Sequence, residues 1–295
     1  MTFPPSVSIR EVGPRDGLQA ESPVDIDKRV ALIDALSATG LRTIEAVSFV
    51  SEKAVPSMAG AAEVMAKIQR ADGVTYAALA PNLRGAQLAF DANVDALTVT
   101  ISASEEYSQK NTKRSVEESL VAVEEICGFV DERVPVDVVI SCAFGSPYEG
   151  DIAPEAVGDL VRESWDAGAT AVTLADTTGM ATPRRIEDVL DESGNDVGLH
   201  LHETRGTALV NAYAAIARGV WRFDTSVGGL GGSPFAAGAA GNLATEDFVH
   251  MLDDMGIPTG VDLVKLLEVD VLLADIIGHP VASNIAKAGP RVALV

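Results

Sequence analysis

Short β-branched runs alternate with longer segments whose apolar positions recur at helical spacing, and the alternation continues along nearly the whole chain. The runs predict strands at residues 7–12, 43–49, 74–80, 96–101, 136–142, 171–175, 197–202 and 222–227. Between them, 26–38, 116–130 and 154–167 read as amphipathic helices, most entered through Asp, Ser or Thr or ended near Gly. Eight strand-helix units in succession predict a parallel (β/α)8 TIM barrel rather than two doubly wound halves. A further helical segment follows the eighth unit from about Val261. No low-complexity linker divides the chain, so a single domain, 1–295, is expected, with the barrel at about 6–258 and a C-terminal helical extension at about 259–295.

Composition narrows the function classes. With 295 residues, 47% of them hydrophobic, the chain can bury a large core. No run approaches ~18 apolar residues, and the opening Met-Thr-Phe-Pro-Pro has neither a basic nor an apolar signal region, so a cytoplasmic protein with no membrane partner is expected. Cys127 and Cys142 are too few for a disulfide framework and read as reduced thiols. A net charge of -21 argues against a nucleic-acid partner, which would need a broad basic surface. Any anionic ligand has to meet a local cluster of cations.

The polar residues gather where such a barrel would use them. Arg15 and Asp16 follow the first strand, Glu45 and Ser48 lie on the second, Asp176 ends the sixth, and His200 and His202 end the seventh. All would open onto the C-terminal face, the usual seat of catalysis in this fold. Residues two apart on a strand share a face, so the two imidazoles project together. With Asp16 and the amide oxygen of Asn242 they make a donor set suited to a hard or borderline divalent ion. Glu45 is either a buried partner of an arginine or a catalytic or positioning carboxylate. Asp176 is likewise either a turn and helix cap or a functional acid. The glycine-rich stretch from Gly228 to Gly241 is read as a lid over a bound ligand.

Four stretches carry a family resemblance: Glu11-Val-Gly-Pro-Arg-Asp-Gly-Leu-Gln19, Ile44-Glu-Ala-Val-Ser-Phe-Val50, Ser141-Cys-Ala-Phe-Gly-Ser-Pro-Tyr-Glu-Gly150 and Gly241-Asn-Leu-Ala-Thr-Glu-Asp247. They resemble the 3-hydroxy-3-methylglutaryl-CoA lyase family, part of a metal-dependent superfamily of TIM-barrel lyases and Claisen-condensing enzymes, over nearly the whole chain. The resemblance implies that Asp16, His200, His202 and Asn242 bind Mg2+ or Mn2+. It implies that Arg15 stabilises the developing enolate and that Glu45 and Asp176 support proton transfer and site geometry. It also places Ser102, Lys110 and Asn111 near the CoA arm of a thioester substrate, where Lys110, Lys113 and Arg114 would supply the local positive charge.

Three positions depart from the family pattern. Ser233 stands where the family's lid carries a catalytic cysteine, Val139 replaces a tyrosine, and Arg205 introduces a cation just beyond the histidine pair. A serine hydroxyl is a poorer acid or base than a thiol near neutral pH. The resemblance therefore implies a metal-dependent carbon-carbon lyase, with 3-hydroxy-3-methylglutaryl-CoA cleaved to acetyl-CoA and acetoacetate as the leading reaction. A related CoA ester, condensation in the reverse sense, and a metal-binding barrel with decayed lid chemistry are the alternatives. A homodimer or higher homo-oligomer is expected.

Overall fold

The computed structural model describes residues 3–232 and 240–291 of the chain. Its centre is a closed barrel of β1 (Ser8–Glu11), β2 (Thr43–Ser48), β3 (Thr75–Leu79), β4 (Ala96–Ser102), β5 (Val136–Ser141), β6 (Ala171–Asp176), β7 (Gly198–Leu201) and β8 (Arg222–Thr225). Every neighbouring pair is parallel, and β8 closes on β1 with Arg10 opposite Asp224. Around it lie α1 (Ile26–Ser37), α2 (Ala61–Lys67), α3 (Leu83–Asp91), α4 (Glu105–Asn111), α5 (Val116–Val130), α6 (Pro154–Asp166), α7 (Pro183–Ser193), α8 (Ala208–Ala217) and α9 (Thr245–Asp254). The chain continues through α10 (Leu263–Ile277) and α11 (Asn284–Ala288).

Alternation along the strands explains the layering. On β4, Leu97, Val99 and Ile101 are buried in the apolar core between barrel and helices, whereas Thr98 faces inward to meet Arg10. The helix ends follow the sequence: Ser115 and Glu118 form a capping box on α5, Asn82 caps α3, and Thr182 followed by Pro183 opens α7. Such caps contribute typically about 1 kcal/mol each.

Strands occur at all eight expected places. The eighth ends two residues earlier than its apolar run suggests, because the Ser226 N–H donates to Leu243 O and 227–229 tighten into a 3-10 turn. Helix α4 is an addition to the expected set, capped by Ser104 accepting from the Tyr107 N–H. The C-terminal extension is tied to the barrel. Helix α10 packs on α1 and α9, and Asp247 of α9 accepts from the Ser283 hydroxyl at 2.9 Å and the Ile285 N–H at 2.8 Å to cap α11.

The lower lumen holds a charged network. Arg10 donates to Asp224 through Nε (2.8 Å) and Nη2 (2.7 Å) and to Asp137 through Nη1 (2.7 Å), while the Thr173 hydroxyl donates to Asp137 at 2.8 Å. A cavity of about 210 Å³ opens beside it at the N-terminal mouth of the barrel.

Candidate active site

Immediately after β1 the backbone makes a wide π-helical turn, Gly13–Gly17, in which the N–H groups of Arg15, Asp16 and Gly17 all point at Val12 O. That turn carries Arg15 and Asp16 to the C-terminal rim of the lumen. It is anchored from below by Glu11, whose Oε1 accepts from the Gly13 N–H (2.7 Å) and the Val227 N–H (2.9 Å), and whose Oε2 accepts from the Thr245 hydroxyl (2.6 Å). Burial pushes the Glu11 carboxyl up to about 7 in spite of those three donors. Glu11 thereby joins the Arg15 turn, the neck of the glycine loop and α9.

Arg15 is buried between two carboxylates. Its Nε donates to Glu45 at 2.5 Å and its Nη1 to Asp16 at 2.7 Å. Glu45 is thus the partner of an arginine, and that arginine is the one at the rim. The other Glu45 oxygen is buried with no hydrogen-bond partner.

Asp16, His200 and His202 offer ligand atoms that all lie within 4.8 Å of one another. The two Nε2 atoms face each other at 3.0 Å, and His200 Nε2 lies 4.0 Å from Asp16 Oδ2. Asp224, opposite His200 in the β7–β8 register, approaches His200 Nδ1 at 3.2 Å, which directs the lone pair of Nε2 toward the cluster. Burial opposes charge on His200, but the Asp224 contact and the charges of Asp16 and Asp224 outweigh it and raise its pKa. His202, buried beside His200, is pushed down to about 4. Burial also disfavours charge on Asp16, yet Arg15 and the imidazoles hold its carboxyl below the usual range.

The fourth donor reaches the cluster from the far side of the glycine loop. Asn242 pairs with His202 across an isolated bridge, and its Nδ2 donates to Asp16 Oδ2 at 2.8 Å. Its Oδ1 is buried without a partner. Gly231 passes so close that a Cβ there would sit 2.4 Å from Asn242 Nδ2 and 3.2 Å from Asp16 Oδ2, at a φ of +109°. An anionic oxygen, two imidazole nitrogens and an orphaned amide oxygen, converging beneath a loop that only glycine permits, fit a divalent cation.

Asp176 sits at the end of β6. Its Oδ1 accepts from the Met180 N–H (2.6 Å) and the Ala181 N–H (3.1 Å), so it caps the turn, while its Oδ2 is buried and unpartnered. Burial raises its pKa to about 6, against the pull of those two bonds and the charge of Arg205. Arg205, in the loop after His202, donates from Nη1 to Thr178 O (2.8 Å) and Gly179 O (2.7 Å).

The residues expected along a CoA arm are more scattered. Ser102 is buried, accepting from the Ser104 N–H at 3.1 Å, whereas Lys110 and Asn111 are exposed on the last turn of α4. The Lys110 ammonium pairs with Glu106 at 2.8 Å and lies 3.5 Å from the Tyr148 ring centre. Ser233 lies outside the described residues. Sequence reasoning missed Glu11, Arg10 and Asp224. The signal was present in the last two: strand alternation sets Arg10 and Asp224 on the face opposite their apolar neighbours Ile9 and Phe223, which is the lumen face.

Comparison with known proteins is consistent along the chain. Residues 6–273 match the family model HMGL-like. A Pseudomonas aeruginosa protein named 3-hydroxy-3-isohexenylglutaryl-CoA/hydroxy-methylglutaryl-CoA lyase is 43% identical over 295 residues, covering 98% of each chain. The human mitochondrial hydroxymethylglutaryl-CoA lyase is 42% identical over 294 residues, covering 97% of this chain and 90% of that one. An HMG-CoA lyase from Acinetobacter baumannii, solved with coenzyme A and 3-methylmalate, superposes with a TM-score of 0.94 at 40% identity, covering 100% of this chain and 99% of the other.

Proposed function

The chain belongs to the HMGL-like family, and from that premise we propose that it is an oxo-acid lyase that cleaves 3-hydroxy-3-methylglutaryl-CoA to acetyl-CoA and acetoacetate. The observation that carries this reading is the convergence of Asp16, His200 and His202 beside the Arg15–Glu45 pair at the C-terminal end of the barrel. Asp16, His200, His202 and Asn242 would hold Mg2+ or Mn2+. Such an ion, when bound, supplies Lewis-acid polarisation of substrate oxygens and so eases loss of the hydroxyl proton.

The reaction removes the proton from the 3-hydroxyl, breaks the bond between C2 and C3, makes C3 a ketone, and leaves an enolate on the thioester half that must be protonated at C2. Arg15 spends Nε on Glu45 and Nη1 on Asp16, which fixes its plane and leaves its other terminal nitrogen for the enolate oxygen. Asp176, buried with one oxygen free and a pKa near 6, is suited to accept a proton near neutral pH. Asp224 keeps His200 oriented, and Glu11 ties the Arg15 turn to the loop that starts the lid. Ser233 is assigned to that lid as a group that exchanges the second proton.

Ser102, Lys110 and Asn111 are read as the CoA-side residues. Lys113 and Arg114, beside α4, support this because their bonds to Lys110 O and Pro81 O leave their charge uncompensated by any ion pair among the described residues. We read the chain as one domain, since α10 packs against α1 of the barrel. We also read it as a cytoplasmic homo-oligomer. The exposed apolar residues Val264 and Val271 on α10 support association of copies, and no described helix is long and apolar enough to cross a membrane.

The test is turnover of the metal-loaded protein on a panel of 3-hydroxy-3-alkylglutaryl-CoA thioesters. Release of acetyl-CoA together with a keto acid, halted by a chelator and restored by Mg2+ or Mn2+, is expected. Absence of cleavage across the whole panel with metal present would overturn the reading.

A further inference from the structure

Three arginines surround the lumen near the histidine pair, and two of them are neutralised. Arg10 faces the carboxylates of Asp137 and Asp224, and Arg15 those of Glu45 and Asp16. Arg205 differs. Its hydrogen-bond partners are the uncharged main-chain oxygens of Thr178 and Gly179, both held by Nη1, and it makes no ion pair among the described residues. Nε and Nη2 have no hydrogen-bond partner among the described residues, and the residue is exposed.

Its position is fixed by the packing of two rim loops. Gly179, at φ +61°, lies against Thr204 so closely that a Cβ would stand 2.6 Å from Thr204 Cβ. The loop after β7 is thereby pressed onto the turn after β6, and Arg205 lies within electrostatic reach of Asp176 on the face that carries His200 and His202. A guanidinium pinned by two consecutive carbonyls has little rotamer freedom left to lose when it binds a planar anion.

A substrate that ends in an acid needs such a group. Asp16, Glu45, Asp176 and Asp224 all lie around the reacting centre, in a chain of net charge -21. A further carboxylate entering this setting is repelled unless an uncompensated cation receives it. We propose that Arg205 grips the free carboxylate at the far end of the acyl chain, and so selects CoA thioesters that carry a terminal acid over 3-hydroxyacyl-CoA thioesters that do not. This assignment rests on the lyase reading and names the residue that sets its substrate class. Because cleavage leaves that carboxylate on the keto acid, Arg205 holds the keto-acid half of the products.

The test compares 3-hydroxy-3-methylglutaryl-CoA with its analogue in which the terminal acid is a carboxamide, in the metal-loaded parent, Arg205→Met and Arg205→Lys. The parent should favour the acid in KM and in calorimetric affinity by roughly 10- to 100-fold, the scale of one or two charge-assisted hydrogen bonds. Arg205→Met should erase that preference with kcat changed much less, and Arg205→Lys should keep part of it. If Arg205→Met weakens both thioesters equally, the residue only braces the turn that carries Asp176, and the proposal fails. It fails as well if the parent binds acid and amide alike. Should the parent cleave neither thioester, the lyase reading falls, but the binding comparison still decides the role of Arg205 because it needs no turnover.

Discussion

The barrel lumen contains two charged clusters built from the same residue types, and they are finished differently. Toward the N-terminal mouth, Arg10 is matched to Asp137, Asp224 and Thr98, and apart from one oxygen of Asp137 the side-chain groups of that network are satisfied. At the C-terminal end, Asn242 Oδ1, Glu45 Oε1 and Asp176 Oδ2 are all buried without partners. Each such orphan costs on the order of 1–3 kcal/mol, so a fold keeps several together only where something else completes them. We read the closed cluster as scaffold and propose that the open one is a binding site. Asp224 belongs to both, since it meets Arg10 below and His200 above.

The largest expected effect breaks the scaffold. Arg10→Met leaves Asp137 and Asp224 facing each other without a cation and should destabilise the protein by about 3–5 kcal/mol, read as a fall in Tm. An unchanged Tm would mean that the lower network is ornamental. At the open end, Arg15→Met, in protein shown to be folded by circular dichroism, should lower kcat by roughly 10²-fold or more, as when a preorganised donor to a developing oxyanion is lost, while KM changes less. A variant with normal kcat and only weakened thioester binding would make Arg15 a phosphate anchor. The smallest effect concerns Asp176. Its folded-state pKa, near 6, lies above that of the unfolded chain, so the neutral acid's contribution is fully present below about pH 4 and is lost as pH rises to 6. That loss amounts to about 2–3 kcal/mol, and Asp176→Asn, which keeps an oxygen for the two capping N–H groups, should flatten this part of the stability profile. Denaturant melts of both proteins at pH 4, 5 and 6 would check it.

The barrel was legible because hydrophobicity with a period of two or of 3.6 is a local property that eight units repeat. The metal-type donors were legible for a similar reason: His200 and His202 are two apart on one strand, and Asp16 follows another. What escaped was long-range. The Glu11 oxygens join residues as far apart as Gly13, Val227 and Thr245, and no spacing along the chain announces that. The π-helical turn at Gly13–Gly17 was also hidden, because its glycines and proline read as an ordinary loop. Glu45 shows the reverse case. Of its two readings the structure shows the first, a buried partner of an arginine, and because that arginine is Arg15 the proposed positioning role is compatible with it. Lys110, read with Lys113 and Arg114 as local positive charge, also pairs with Glu106 and lies over the Tyr148 ring.

The central claim, that the open cluster is a divalent-metal centre, is tested most directly by titrating Mn2+ into the parent and into His202→Ala while bound ion is followed by electron paramagnetic resonance. The parent should take up about one ion per chain, and the variant should bind it roughly 10²-fold more weakly with its circular dichroism unchanged, as expected when a ligand is lost from a fixed donor set. Equal stoichiometric binding by both proteins would contradict the account.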